Sequence, residues 1–139
     1  MVVPTSLRLD PGTKNRLRAE AEREHMPAAT LAQRLIDEGL RMARCPGVVF
    51  HDGPGGRRPS LSAGPDIAEV VSLLHHLDNS GEEAITEAAQ WLETPQSAVR
   101  AAVDYYVEFP DEIDQDIARR HRAAQAAREQ WQRRQQLLS

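Results

Sequence analysis

The segment Thr5-Ser6-Leu7-Arg8-Leu9-Asp10 alternates polar and apolar side chains. That is the pattern of a short strand with Leu7 and Leu9 inward and Ser6 and Arg8 outward. Asp10-Pro11-Gly12 stops the strand. Thr13 to His25, rich in Arg, Glu and Ala with Leu17 and Ala21 one turn apart, predicts a first helix closed by Met26-Pro27. From about Ala28 to Ala43, the residues Leu31, Leu35, Ile36, Leu40 and Ala43 recur at helical spacing and mark the apolar face of a second helix. Cys45-Pro46-Gly47 breaks it. Val48-Val49-Phe50 then reads as an apolar strand before the turn His51-Asp52-Gly53-Pro54-Gly55-Gly56, and Arg57-Arg58-Pro59-Ser60-Leu61 returns. A glycine-rich loop that cradles phosphate needs a helix directly after it, so a hairpin is the expectation here.

Three short helices follow. Asp66 and Glu69 have capping-box spacing ahead of Ile67, Val70, Val71, Leu74 and Leu77, and Ser80 with Glu83 repeats it ahead of Ile85, Ala88, Ala89 and Leu92. Thr94-Pro95 starts the third, with Val99, Ala102, Val103 and Tyr106 inward. The pair from Ile85 to Tyr106 is spaced like a helix-turn-helix, with Ala89 in the tight position and Glu93 where a turn glycine is usual. After Phe109-Pro110, Asp111, Glu112, Asp114 and Asp116 open a long helix whose arginines fall toward its end, the order that the helix dipole favours.

A lone N-terminal strand has no neighbour to pair with, and the same strand of a second copy would satisfy it by two-fold symmetry. Ser6-Leu7-Arg8-Leu9, then Leu17 and Ala21, then Leu31, Leu35, Ile36 and Leu40 carry a resemblance to the ribbon-helix-helix repressors of the CopG, MetJ and Arc type. The resemblance implies a homodimer whose antiparallel ribbon lies in the DNA major groove, with Ser6 and Arg8 reading base edges. Arg8, with its planar fork, is the stronger reader. The first turn of the second helix, at Ala28, Ala29 and Thr30, would offer backbone amides to a phosphate. The plain alternative is that Ser6 and Arg8 are the wet face of an edge strand.

A second resemblance lies further on. Pro46-Gly47-Val48-Val49-Phe50, Gly56-Arg57-Arg58-Pro59, Asp66 to Val71, Val99 to Tyr106 and Pro110 to Asp114 are similar to a helix-turn-helix-like domain of uncharacterised function found in VapB-type antitoxins. The toxins beside those antitoxins are PIN-like ribonucleases. The resemblance thus implies such a toxin as a partner. On a DNA-reading third helix only Arg100 would be cationic among the outward positions, with Asp78, Glu82, Glu83, Glu87, Glu93 and Glu108 around it, so this module is expected to bind protein, or only to stabilise the fold.

Charge sharpens this division. Over the 139 residues the net charge is -4, but residues 1–44 carry eight Lys/Arg against six Asp/Glu, 45–110 three against ten, and 118–139 six against one. A nucleic-acid surface therefore belongs to the ends of the chain. Cys45, the single cysteine, excludes an internal disulfide, and the five histidines are scattered, with His75-His76 adjacent and so divergent on a helix. No nucleophile motif or phosphate loop is present, which makes an enzyme the least expected class. Neither a basic-then-apolar N-terminus nor a long apolar run occurs, so a soluble cytoplasmic protein without a membrane partner is expected.

The expected architecture is mainly α: a ribbon-helix-helix domain over 1–44, a hairpin plus trihelical module over 45–114, and a helical tail over 115–139. The expected function is a sequence-specific DNA-binding homodimer, the antitoxin and transcriptional autorepressor of a toxin-antitoxin pair. The alternatives are a stand-alone transcription or nucleoid regulator and a protein-interaction adaptor that does not bind DNA. Candidate contacts are Ser6, Arg8, Ala28, Ala29 and Thr30 for DNA, and Arg57, Arg58 and Arg100 for a phosphate or partner. Trp131, Leu137 and Leu138 mark a partner-binding tail that could equally touch DNA or stay solvated. No cofactor or metal is expected.

Overall fold

The computed structural model describes residues 2–62 and 64–139. Within them lie six helices and one two-stranded antiparallel sheet: α1 (Pro11–Arg23), α2 (Ala28–Arg44), β1 (Val48–Gly53), β2 (Gly56–Leu61), α3 (Ile67–His76), α4 (Gly81–Trp91), α5 (Gln96–Glu108) and α6 (Pro110–Leu138). They form two compact units, Met1–Arg41 and Met42–Ser139.

In the first unit, residues 2–10 are exposed and have no regular secondary structure, so the expected strand is not formed within a single chain. Leu7 and Leu9, expected to point inward, are exposed. The Asp10 carboxylate accepts the Thr13 backbone N–H at 3.2 Å and the Thr13 hydroxyl at 2.6 Å. That cap starts α1 at Pro11, two residues earlier than the pattern predicts, with proline in the first turn where its missing N–H costs nothing. The helix also stops early, at Arg23 instead of His25. His25 adopts φ 55°, its N–H reaching the Glu22 carbonyl at 3.2 Å while the Met26 N–H reaches Ala21 at 3.0 Å. This is the left-handed helix ending usually given to glycine. Ala21 and Leu31 are the buried apolar residues of α1 and α2, and Arg34 joins the helices by donating to Glu24 at 2.7 Å.

The second unit holds the larger core. In the hairpin, Val48 faces Leu61 and Gly53 faces Gly56 across a Pro54-Gly55 turn, with Gly56 at φ 107°. Val48, Leu61, Ile67, Val70, Val99, Ala102, Tyr105 and Ile113 are buried together. The inward residue of α5 is Tyr105, not Tyr106 as the sequence pattern suggests, because the buried stripe continues in steps of three from Val99 through Ala102. Tyr105 meets Phe50 edge-on and Phe109 at 4.8 Å between ring centres, and its hydroxyl donates to Glu112 at 2.8 Å. Val103 and Tyr106 are half-buried.

One other expectation is corrected. Asp66 and Ser80 do occupy the N-cap positions of α3 and α4, yet neither side chain caps its helix. As expected, a long helix starts beside Pro110: α6 runs unbroken from there, and its first turns bury Ile113 and Asp116 against α3 and α5. From residue 121 onward every side chain is exposed.

Candidate nucleic-acid interface

Arg8 and Ser6 sit in the exposed N-terminal segment, and among the described residues Arg8 has no ion-pair partner. Beside them Leu7 is 65% exposed. On α2 the expected apolar face is present in sequence but uncovered in the chain: Leu31 is buried, whereas Leu35 and Ile36 are 47% and Leu40 67% exposed. Gly39 sits among them, and a Cβ added there would meet nothing within 4 Å. Glycine inside a helix costs up to about 1 kcal/mol relative to alanine, and nothing among the described residues requires it here. The first α2 bond runs from the Leu31 N–H to the Pro27 carbonyl at 3.1 Å, which leaves the amides of Ala28, Ala29 and Thr30 ahead of the ladder and available to an outside acceptor.

The candidate cations of the second unit are placed differently. Arg100 grips both carboxylate oxygens of Glu82, and Arg57 lies 3.5 Å from Asp52. Arg58 donates to Asp66 at 3.0 Å and is largely buried. All three charges are compensated locally, so none stands free for a phosphate.

Arg58 belongs to a cluster that the sequence pattern does not reveal. The Asp66 carboxylate accepts from His51 Nε2 at 2.7 Å, from Arg58 at 3.0 Å and from Arg120 at 2.6 Å. Arg120 also reaches Asp116 at 3.2 Å, with Arg119 beside it and Glu69 at 3.7 Å. Burial pushes the Asp66 carboxyl up, but hydrogen bonds from Arg120, Arg58 and His51 together outweigh it and hold the group below the ordinary carboxylate range. His51 Nδ1 donates to the Asp52 carbonyl at 3.0 Å, so acceptors face both ring nitrogens and only the doubly protonated ring satisfies both. The Asp52 carbonyl first, then Asp66, raises its pKa. The cluster joins the hairpin, the start of α3 and α6. Gly53 lies beside it, and a Cβ there would meet the Arg58 guanidinium and displace it from its present position.

No family model, curated protein or solved structure matches this chain. Among the described residues, no group of three or more His, Cys, Asp or Glu is placed to hold a metal ion, and no helix is long and apolar enough to cross a membrane. Cys45 is buried in the core of the second unit. Trp131, Leu137 and Leu138 are exposed on the far half of α6.

The Asp66 cluster is only weakly marked in sequence. Asp66 looks like a cap because it precedes a helix, and its partners lie 8, 15 and 54 residues away. Only the presence of Arg58 on a hairpin leading into that cap could have pointed to it.

Proposed function

We propose that the protein is a homodimeric DNA-binding regulator, acting as antitoxin and transcriptional autorepressor, with its N-terminal segments paired as the reading ribbon. The observation that carries this reading is the uncovered face of α2: Leu35, Ile36 and Leu40 are exposed around a glycine that nothing among the described residues explains. Burying such a face releases about 25 cal/mol per Å² of apolar surface, and a second copy offers the same face by symmetry. The segment at Leu7 to Leu9 has the same need, since its backbone donors and acceptors have no ladder within the chain. Pairing two such segments turns Leu7 and Leu9 inward and leaves Ser6 and Arg8 on the outer side, where Arg8 donates to a guanine edge. The amides at Ala28 to Thr30 fix the ribbon by holding a phosphate. The acidic module over residues 45–110, whose candidate cations are all compensated, takes a protein partner rather than DNA, and a PIN-like ribonuclease is the partner that the sequence resemblance suggests.

The deciding experiment measures anisotropy of a labelled fragment from the protein's own upstream region, titrated with wild type and Arg8→Ala over a salt series, after sedimentation has established both as dimers. Wild type should bind tightly and salt-sensitively. Arg8→Ala should lose about 1 to 3 kcal/mol of discrimination against unrelated sequence while remaining dimeric. A wild-type dimer that binds no duplex at low salt overturns the reading and leaves a protein-interaction adaptor.

A further inference from the structure

The distal half of α6 is the largest exposed element that the proposed function leaves without a role. Arg119 and Arg120 fold back onto Asp116 and Asp66. Arg122, Arg128, Arg133 and Arg134 have no carboxylate partner among the described residues, and Glu129 is the only acidic side chain among residues 118–139. At 1.5 Å per residue, residues 121–138 extend about 27 Å, a length over which duplex DNA presents roughly sixteen phosphate charges.

Two kinds of surface run along this helix. Ile117, Ala124, Trp131 and Leu138 recur every seven residues and continue the side that Ile113 buries in the core, but only Trp131 and Leu138 of the free part are large. That is little apolar area for a stable protein interface, which needs about 800 Å² per partner. The arginines lie on more than one side, with Arg122 and Arg133 three turns apart on one face and Arg128 and Arg134 each about a third of a turn away, on either side of it. Charge, unlike apolar area, is available all round the helix, and a polyanion is its natural complement.

We propose that residues 121–138 form a second, sequence-independent DNA contact in which Arg122, Arg128, Arg133 and Arg134 hold backbone phosphates of duplex DNA. This rests on the DNA-binding reading above but not on the ribbon being its reader. The helix adds affinity to operator and unrelated duplex alike and carries no sequence information of its own.

The test uses the full chain with Trp91→Phe, which leaves Trp131 as the only tryptophan, and compares it with the same chain carrying Arg122→Gln, Arg128→Gln, Arg133→Gln and Arg134→Gln. Both are titrated with the upstream fragment and with a scrambled duplex over a salt series, with circular dichroism to check that the helix is retained. The quadruple variant should bind both duplexes more weakly by the same factor, about ten-fold or more at low salt, and its salt slope should be shallower by about 0.9 for each phosphate it no longer neutralises. Trp131 emission should respond to either duplex in the parent. Unchanged affinity and slope in the variant, with a silent Trp131 in the parent, overturns the proposal and assigns the Trp131 side to a protein groove. Should the parent bind both duplexes equally and the variant bind neither, the ribbon reading falls and the helical site stands. Absence of binding by the parent at low salt ends both.

Discussion

Two helix pairs in this chain share one turn and differ in what they do with their apolar residues. Between α1 and α2, His25 takes φ 55° and Pro27 precedes the second helix; between α4 and α5, Glu93 takes φ 51° and Pro95 does the same. The hydrogen bonds correspond as well, with Met26 reaching Ala21 and Thr94 reaching Ala89, each at 3.0 Å. Yet α4 and α5 bury Ala88, Ala89, Val99, Ala102 and Tyr105, while α2 leaves Leu35, Ile36 and Leu40 in solvent. Local grammar thus sets the turn, and only the surroundings decide whether the pair is finished. The second pair is completed by α3, α6 and the hairpin of its own unit. The first has no such elements, which is why a second copy is proposed to complete it.

Substitutions on the two pairs should consequently fail in different ways. Tyr105→Ala should cost the second unit about 3 to 5 kcal/mol, read as a lowered calorimetric transition, with dimer affinity unaffected. Leu40→Glu should do the reverse. Placing a carboxylate in the proposed dimer face should weaken dimerisation by about 100-fold or more in sedimentation, with the second transition unmoved. If Leu40→Glu leaves the dimer intact, the two pairs differ for some reason other than a missing copy.

A smaller effect tests the shared turn. A non-glycine residue in the left-handed region costs about 1 kcal/mol or more, so Glu93→Gly should stabilise the second unit by about that amount despite glycine's greater freedom in the unfolded chain. His25→Gly should act likewise on the first unit. Smallest of all is the pH dependence of His51. Its pKa is raised in the folded protein above 6.5, so its contribution is fully present below that value and is lost as pH rises through the folded pKa. The side chain is nearly half exposed, and solvent screening limits the effect to about 0.5 kcal/mol. Wild type should therefore lose a little stability as pH rises above 6.5, relative to its slope at lower pH, and His51→Gln should remove that step.

Much of the secondary structure was legible because it follows from local spacing. The α2 periodicity, the hairpin around Pro54-Gly55, the starts of α5 and α6 beside prolines, and the unusual position of Glu93 could all be read from nearby residues. What was missed depends on distance. Asp66 has the local form of a cap, and only folding brings Arg120, 54 residues away, to its carboxylate. Tyr105 and Tyr106 are neighbours that periodicity cannot easily separate, and the choice falls to Phe50 and Phe109, which the fold places against the first of them. The candidate arginines divide the same way: the sequence marks Arg57, Arg58 and Arg100 as cations, but not the carboxylates that neutralise them.

The unbroken course of α6 has a consequence for how its free half is ordered. An isolated helix of this length in water is limited by nucleation, since the first turn fixes several residues for a single hydrogen bond. Here that turn is already made, because Ile113 and Asp116 fix the beginning of α6 in the second unit. The exposed residues need only propagate an existing helix, so its order decays from a buried root toward the far end, and its arginines are presented along a stiff rod rather than a coil.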